Sequence, residues 1–153
     1  MAAGIIGVLG GGQCDAETYE QARRVGQEIA RRGGRVVCGG LFGVMEAVCR
    51  GAREAGGTTI GILPTDQITD ANPYVDIPIA TGMGIGRNII IVRTAQVCIA
   101  INGGYGTLSE IAYALQLGKP VITLNSWDDI PGVIPAATPE EAVTLAFNQL
   151  EGK

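Results

Sequence analysis

The sequence predicts a doubly wound, Rossmann-like α/β fold: a parallel sheet with helices on both faces, forming a single domain over residues 1–153. Three observations carry that expectation. Short apolar runs alternate with amphipathic segments, the pattern of βαβ units around a parallel sheet. The 24 glycines follow no Gly-X-Y period, and they imply many tight turns and close backbone approaches. The 153 residues, 46% of them apolar, suffice for one core, and no internal repeat or linker divides them.

The elements follow in order. Ile5 to Leu9 reads as the first strand. Asp15 then offers an N-cap, with Glu17 and Glu20 near the positive end of the helix dipole. Tyr19, Ala22, Ile29 and Ala30 place one apolar face on this helix, which runs to Arg31-Arg32 and stops at Gly33-Gly34. Arg35 to Cys38 is the second strand. Val44, Ala47, Val48, Gly51 and Ala52 then recur at helical spacing before Gly56-Gly57. Thr58 to Leu63 is the third strand, and 64–74 is a loop. Val75, Ile77 and Ile79 alternate as in a short, one-sided strand.

Ile89-Ile90-Ile91-Val92 is apolar all round and reads as a helix, because the strand at Gln96 to Ile101 needs a crossover before it. A helix buried on two sides in so small a domain predicts a second subunit, hence a homo-oligomer, dimer or tetramer. A helix from about Thr107 to Leu117, a strand from Pro120 to Leu124 and a last helix opened by Thr138-Pro139-Glu140-Glu141 complete the chain.

Composition prunes the functions. A net charge of −4 argues against a nucleic-acid partner, which needs surplus Lys and Arg. With no histidine, His-based triads, the usual zinc ligands and imidazole acid–base catalysis are excluded. The only lysines, Lys119 and Lys153, leave almost no candidate for a pyridoxal Schiff base or a Walker lysine. The cysteines, Cys14, Cys38, Cys49 and Cys98, show no metal spacing, and Cys38 and Cys98 read as small buried hydrophobes in a reducing compartment. Met1 to Leu9 lacks the basic region and cleavage site of a signal peptide, and no apolar run is long enough to span a membrane. The expected location is cytoplasmic, with no membrane partner.

Three strands end in glycine clusters that open a helix: Gly10-Gly11-Gly12, Gly39-Gly40 with Gly43, and Gly103-Gly104-Tyr105-Gly106. Each removes Cβ atoms where backbone N–H groups and a helix N-terminus meet a phosphate. The alternative is that they serve only as tight turns. Neither the dinucleotide fingerprint nor the P-loop is met, so the expected ligand is a phosphorylated, mononucleotide-like small molecule.

At Asn102-Gly-Gly-Tyr-Gly-Thr-Leu-Ser-Glu110 the chain resembles the PGGxGTxxE motif of the LONELY GUY (LOG) phosphoribohydrolases, a family long labelled "lysine decarboxylase". Val8 to Gly12 is similar to that family's first phosphate turn, and Cys38 to Met45 to its GGGxxGLM segment. Arg87 stands where the family has an arginine upstream of the motif. There are departures: Asn102 replaces the motif's proline, Gly86-Arg87-Asn88 stands in for a longer Arg-Lys element, and the chain is short. These features look more like the branch that includes molybdenum-cofactor carrier proteins. That resemblance implies a bound pterin phosphate, or a nucleotide monophosphate, held without turnover and with no cofactor required for catalysis.

The LOG resemblance implies catalytic roles for Arg87 and Glu110, and phosphate contacts from Gly10, Gly11, Gly12, Gly39, Gly40, Gly103, Gly104, Tyr105, Gly106 and Thr107. A carboxylate beside a ribosyl–base bond stabilises an oxocarbenium-like state or activates water. Thr107-x-x-Glu110 also spells a capping box, in which Glu110 only holds the helix start and Thr107 is a plain N-cap. Arg87 reads as a phosphate fork, because a lone cation at a helix start opposes the dipole. Asp128-Asp129 reads as a solvated turn rather than a metal pair. Cys14 near a helix N-terminus reads as incidental rather than as a low-pKa thiol. Two functions follow, a carrier of a phosphorylated ligand or a nucleoside 5′-monophosphate phosphoribohydrolase; a lysine decarboxylase is rejected on the lysine count.

Overall fold

A computed structural model describes residues 4–152; Met1–Ala3 of the expected non-signal N-terminus and Lys153 lie outside it. Seven parallel strands form one sheet: β1 (Ile5–Gly10), β2 (Arg35–Cys38), β3 (Thr59–Leu63), β4 (Ile77–Ala80), β5 (Val97–Ile101), β6 (Val121–Leu124) and β7 (Ile134–Ala136). Their order across the sheet is β4-β3-β2-β1-β5-β6-β7. The order reverses between β1 and β5, which pair from Ile6 with Val97 to Gly10 with Ile101. A crevice opens beyond the carboxyl ends of two strands at such a reversal, which is where ligands bind in open α/β sheets.

Alternation along the central strands divides the core into two layers. Ile6, Val8, Val36, Cys38, Val97, Ile99 and Ile101 face one side, where α1 (Ala16–Arg31), α2 (Val44–Glu54) and α5 (Pro139–Leu150) bury Val25, Ile29, Val48 and Val143. Leu9, Val37, Cys98 and Ala100 face the other, under α3 (Asn88–Thr94) and α4 (Tyr105–Gln116), which bury Ile91, Val92 and Ile111. The expected doubly wound fold, with helices on both faces, is what the chain adopts.

The local signals behave as physics requires. Asp15 caps α1 by accepting from the Thr18 N–H at 2.8 Å, and Thr138 caps α5 by accepting from the Glu141 N–H at 3.1 Å. Two expectations need correction, at β4 and at β7. Val75 precedes β4 rather than opening it, and Ile77 and Ile79 lie exposed on this edge strand, with Pro78 tolerated because an edge needs fewer donors. The apolar run at 89–92 is helical as expected; within one copy of the chain Ile91 and Val92 are buried and Ile89 and Ile90 half-buried. Strand β7 is additional to the expected set. It is three residues long with Pro135 at its centre, so it carries no periodicity to read. Among the described residues no helix is long and apolar enough to cross a membrane.

Candidate functional site

The three glycine turns follow β1, β2 and β5, which are neighbours at the centre of the sheet. They enclose a cleft of about 290 Å³ at the reversal point, near the small end of ligand pockets. Gly10, Gly11, Gly12, Gly39, Gly104, Gly106, Thr107, Arg87 and Glu110 line it, together with Val8, Met45, Ile85 and Asn88. Gly40 and Gly103 are not among the lining residues: Gly40 packs on Leu63 and Gly61, and Gly103 on Thr107, both at positive φ. Tyr105 is also not in the lining and is 86% exposed at the first turn of α4. No residue of the 64–72 segment lines the cleft; Pro73 and Tyr74 line a separate surface groove with Arg50, Arg53 and Glu54.

The glycines fall into two kinds. A Cβ on Gly39 would lie 2.6 Å from Met45 Sδ and 2.7 Å from Arg87 Nη2, and one on Gly43 2.5 Å from the Gly11 carbonyl oxygen. Those positions are glycine because the turns pack against each other. Gly104 and Gly106 have nothing within 4 Å of a built Cβ. The packing of this chain does not require them to be glycine, and both line the cleft.

Helix N-termini differ in the same way. In α1 the Asp15 side chain accepts one of the N-terminal N–H groups, that of Thr18. α4 has Gly104 at its N-cap position and no side-chain cap, so its first turn meets the cleft without a side-chain acceptor for its N–H groups. The capping-box reading is therefore overturned: α4 starts at Tyr105, Thr107 is its third residue rather than its N-cap, and Glu110 lies a turn further on. Thr107 and Glu110 are buried, at 3% and 7% exposure, and both line the cleft.

Arg87 ends a 3-10 turn over Gly84–Arg87 and is 8% exposed. Its Nε donates to the Ile62 carbonyl at 2.8 Å, Nη2 to the Gly39 carbonyl at 3.4 Å and Nη1 to Asn88 Oδ1. Asn88 Nδ2 donates to Ser109 Oγ at 3.4 Å, and that hydroxyl donates to the Gly106 carbonyl at 2.6 Å. The guanidinium is thus tied to the first turn of α4. Burial pulls the Arg87 guanidinium below its ordinary pKa, while the Glu110 carboxyl works in the opposite sense. Burial pushes Glu110 up to about 8, with Arg87 opposing the rise.

Sequence reasoning missed Val8, Met45, Ile85 and Asn88. The first three are the apolar part of the cleft lining, and Asn88 accepts a hydrogen bond from the arginine. Val8 and Met45 stand at the ends of the two glycine-rich segments that resemble the LOG family and Asn88 directly follows Arg87, whereas Ile85 has no such signal. Asn102 adopts φ +50, a left-handed conformation closed to proline, whose ring fixes φ near −65°. The departure from the LOG motif at this residue is therefore a different turn, held by Ser126 Oγ donating to the Asn102 carbonyl at 2.6 Å. Cys14 carries a thiol raised by burial and by Asp15, the opposite of an activated one. Among the described residues no cluster of three or more His, Cys, Asp or Glu is placed to hold a metal, Asp128 and Asp129 included.

A model of the SLOG cluster4 family matches residues 3–149. The chain belongs to the SLOG cluster4 family. This SLOG cluster4 chain is 33% identical to the cytokinin riboside 5′-monophosphate phosphoribohydrolase of Mycobacterium tuberculosis, over 77% of this chain and 68% of that one. It superimposes on the molybdenum cofactor binding protein of Rippkaea orientalis with TM-score 0.92 at 39% identity, covering 98% of this chain and 99% of that one. The molybdenum cofactor carrier protein of Chlamydomonas reinhardtii gives TM-score 0.89 at 37% identity, with 99% of each chain covered. The LOG-like family expected from the sequence, and its carrier-like branch, are those to which the chain is similar.

Proposed function

We propose that this SLOG cluster4 protein is a carrier of the molybdenum-cofactor type, which holds a phosphorylated pterin in the cleft at the β1/β5 reversal and releases it unchanged. The observation that carries the reading is end-to-end likeness to two proteins of that description, where the mycobacterial hydrolase is matched over 68% of its length. The residues present fit such a cargo. The uncapped start of α4, with Gly104 and Gly106, offers backbone donors to a phosphate, and Arg87 adds a fixed cation. Val8, Met45 and Ile85 offer an apolar wall to a fused ring. The test is calorimetric titration with a phosphorylated pterin and with adenosine monophosphate. Saturable binding of the pterin is expected; heat from neither ligand would overturn the reading.

The second reading, a nucleoside 5′-monophosphate phosphoribohydrolase, is favoured by one observation: Arg87 and Glu110 line the same cleft. Self-association belongs to the proposal as well. Half-buried Ile89 and Ile90 on α3 suit a second copy of this chain, and sedimentation at micromolar concentration is expected to give a dimer or tetramer mass.

A further inference from the structure

Glu110 is 7% exposed, yet its carboxyl lines the cleft. Arg87, the cation that acts on it, already directs Nε, Nη1 and Nη2 to the Ile62 carbonyl, Asn88 Oδ1 and the Gly39 carbonyl. No described residue donates a hydrogen bond to the Glu110 carboxyl. The other titratable groups that interact with it are the thiols of Cys38, from β2, and Cys98, from β5, both fully buried. An ionised carboxylate in this place would be largely desolvated, with no protein donor and only what enters the cleft to pair with it. A neutral acid lacks only one acceptor, which a ligand in the cleft supplies.

We propose that Glu110 enters ligand binding as a neutral carboxylic acid, giving its O–H to an acceptor atom of the bound molecule. The inference rests on the reading of the cleft as a site for a phosphorylated ligand, and it replaces the carboxylate role expected from the motif. Burial holds the proton in the free protein, with the carboxyl at about 8 against an ordinary 4.5. An incoming phosphate dianion strengthens that hold, because a second negative charge nearby further disfavours ionisation. Ligand and proton therefore favour each other, and the coupling is reciprocal.

Two measurements test this. In the ligand-free protein, infrared difference spectra of wild type against Glu110→Gln are expected to show a protonated-carboxyl C=O band at pH 6 that disappears as pH rises through about 8. Absence of that band at pH 6 overturns the proposal whatever the ligand does. In calorimetry from about pH 6 to 9.5, wild-type affinity is expected to be level and then to fall roughly tenfold per pH unit above the carboxyl's pKa. Glu110→Gln, neutral and still a donor, is expected to bind within about threefold of wild type at low pH and to show no such fall. A variant more than about tenfold tighter than wild type near pH 7 would mean that a carboxylate had been repelling the phosphate, and would sink the idea. A protonated Glu110 in a protein that binds neither pterin phosphate nor nucleotide overturns the carrier reading, and the donor role with it.

Discussion

The α1/α2 crossing and the first turn of α4 both depend on glycine, for opposite reasons. At the crossing, a Cβ on Gly51 would lie 1.8 Å from the Arg23 carbonyl oxygen, and one on Gly26 2.1 Å from that of Val48. The two helices touch backbone to backbone, so glycine is what lets this side of the sheet close. At the α4 turn, Gly104 and Gly106 face open space on the cleft. One pair is set by what the fold contains and the other by the room it leaves. Glycines of both kinds read alike in the sequence, and only the space around each Cβ separates them.

Substitutions can break that contrast, and their expected effects on stability run from large to negligible. Gly51→Ala drives a methyl group into backbone that cannot yield, which should cost about 3 kcal/mol or more in chemical denaturation. Unchanged stability would show that the helices can separate cheaply. Asn102→Pro cannot reach φ +50, so a loss of more than about 1 kcal/mol is expected, whereas Asn102→Gly should fold normally. An equally stable proline variant would mean that the LOG turn and this one are interchangeable. Thr138→Ala removes the α5 cap, at about 1 kcal/mol, and should leave ligand affinity alone because the cap lies away from the cleft lining. Gly106→Ala should change stability least, by under about 1 kcal/mol and toward greater stability, since alanine favours a helix. Its effect on the site should be the reverse: a methyl group in the cleft is expected to weaken phosphate binding at least about tenfold by calorimetry. Full affinity in that variant would remove the role given to the α4 turn.

The pH dependence of stability sharpens the same account. Glu110 is raised in the folded protein, so the folded state keeps a proton that the unfolded chain has already lost. Its stabilising contribution is whole below an ordinary carboxyl pKa of 4.5, declines as pH rises toward about 8, and is gone above it. Wild type should therefore lose stability relative to Glu110→Gln across that window, measured by denaturation at matched ionic strength. A parallel pair of curves would place the Glu110 proton elsewhere.

Much of this architecture is legible from residues alone. The Asp15 and Thr138 caps, the helix stops and the alternation of strands with amphipathic segments are local signals, and local hydrogen bonds and periodicity realise them. The glycine turns were legible as a group because each ends a strand. The rest depends on tertiary placement. In the sequence Glu110 reads both as a catalytic carboxylate and as a helix cap, and only the start of α4 at Tyr105 puts it one turn too far inside for a cap and buries it. Asn88 forms no pattern, because its meaning is the arginine beside it and the Ser109 hydroxyl twenty-one residues away. Ile85 reads as one more surface apolar residue, and only the 3-10 turn brings it to the cleft. Ile134–Ala136 becomes a strand because β6 offers it a partner, not through its own sequence.

A carrier and a hydrolase differ most plainly in whether a ligand leaves the cleft intact. Adenosine monophosphate and a phosphorylated pterin would be incubated with the protein, and free ribose 5-phosphate and unchanged ligand measured, with thermal unfolding followed in parallel. A raised unfolding temperature with the pterin, full recovery of both ligands and no ribose 5-phosphate are expected of a carrier. Ribose 5-phosphate released by the wild type and abolished by Glu110→Gln would contradict the carrier reading, and would make the cleft a catalytic site.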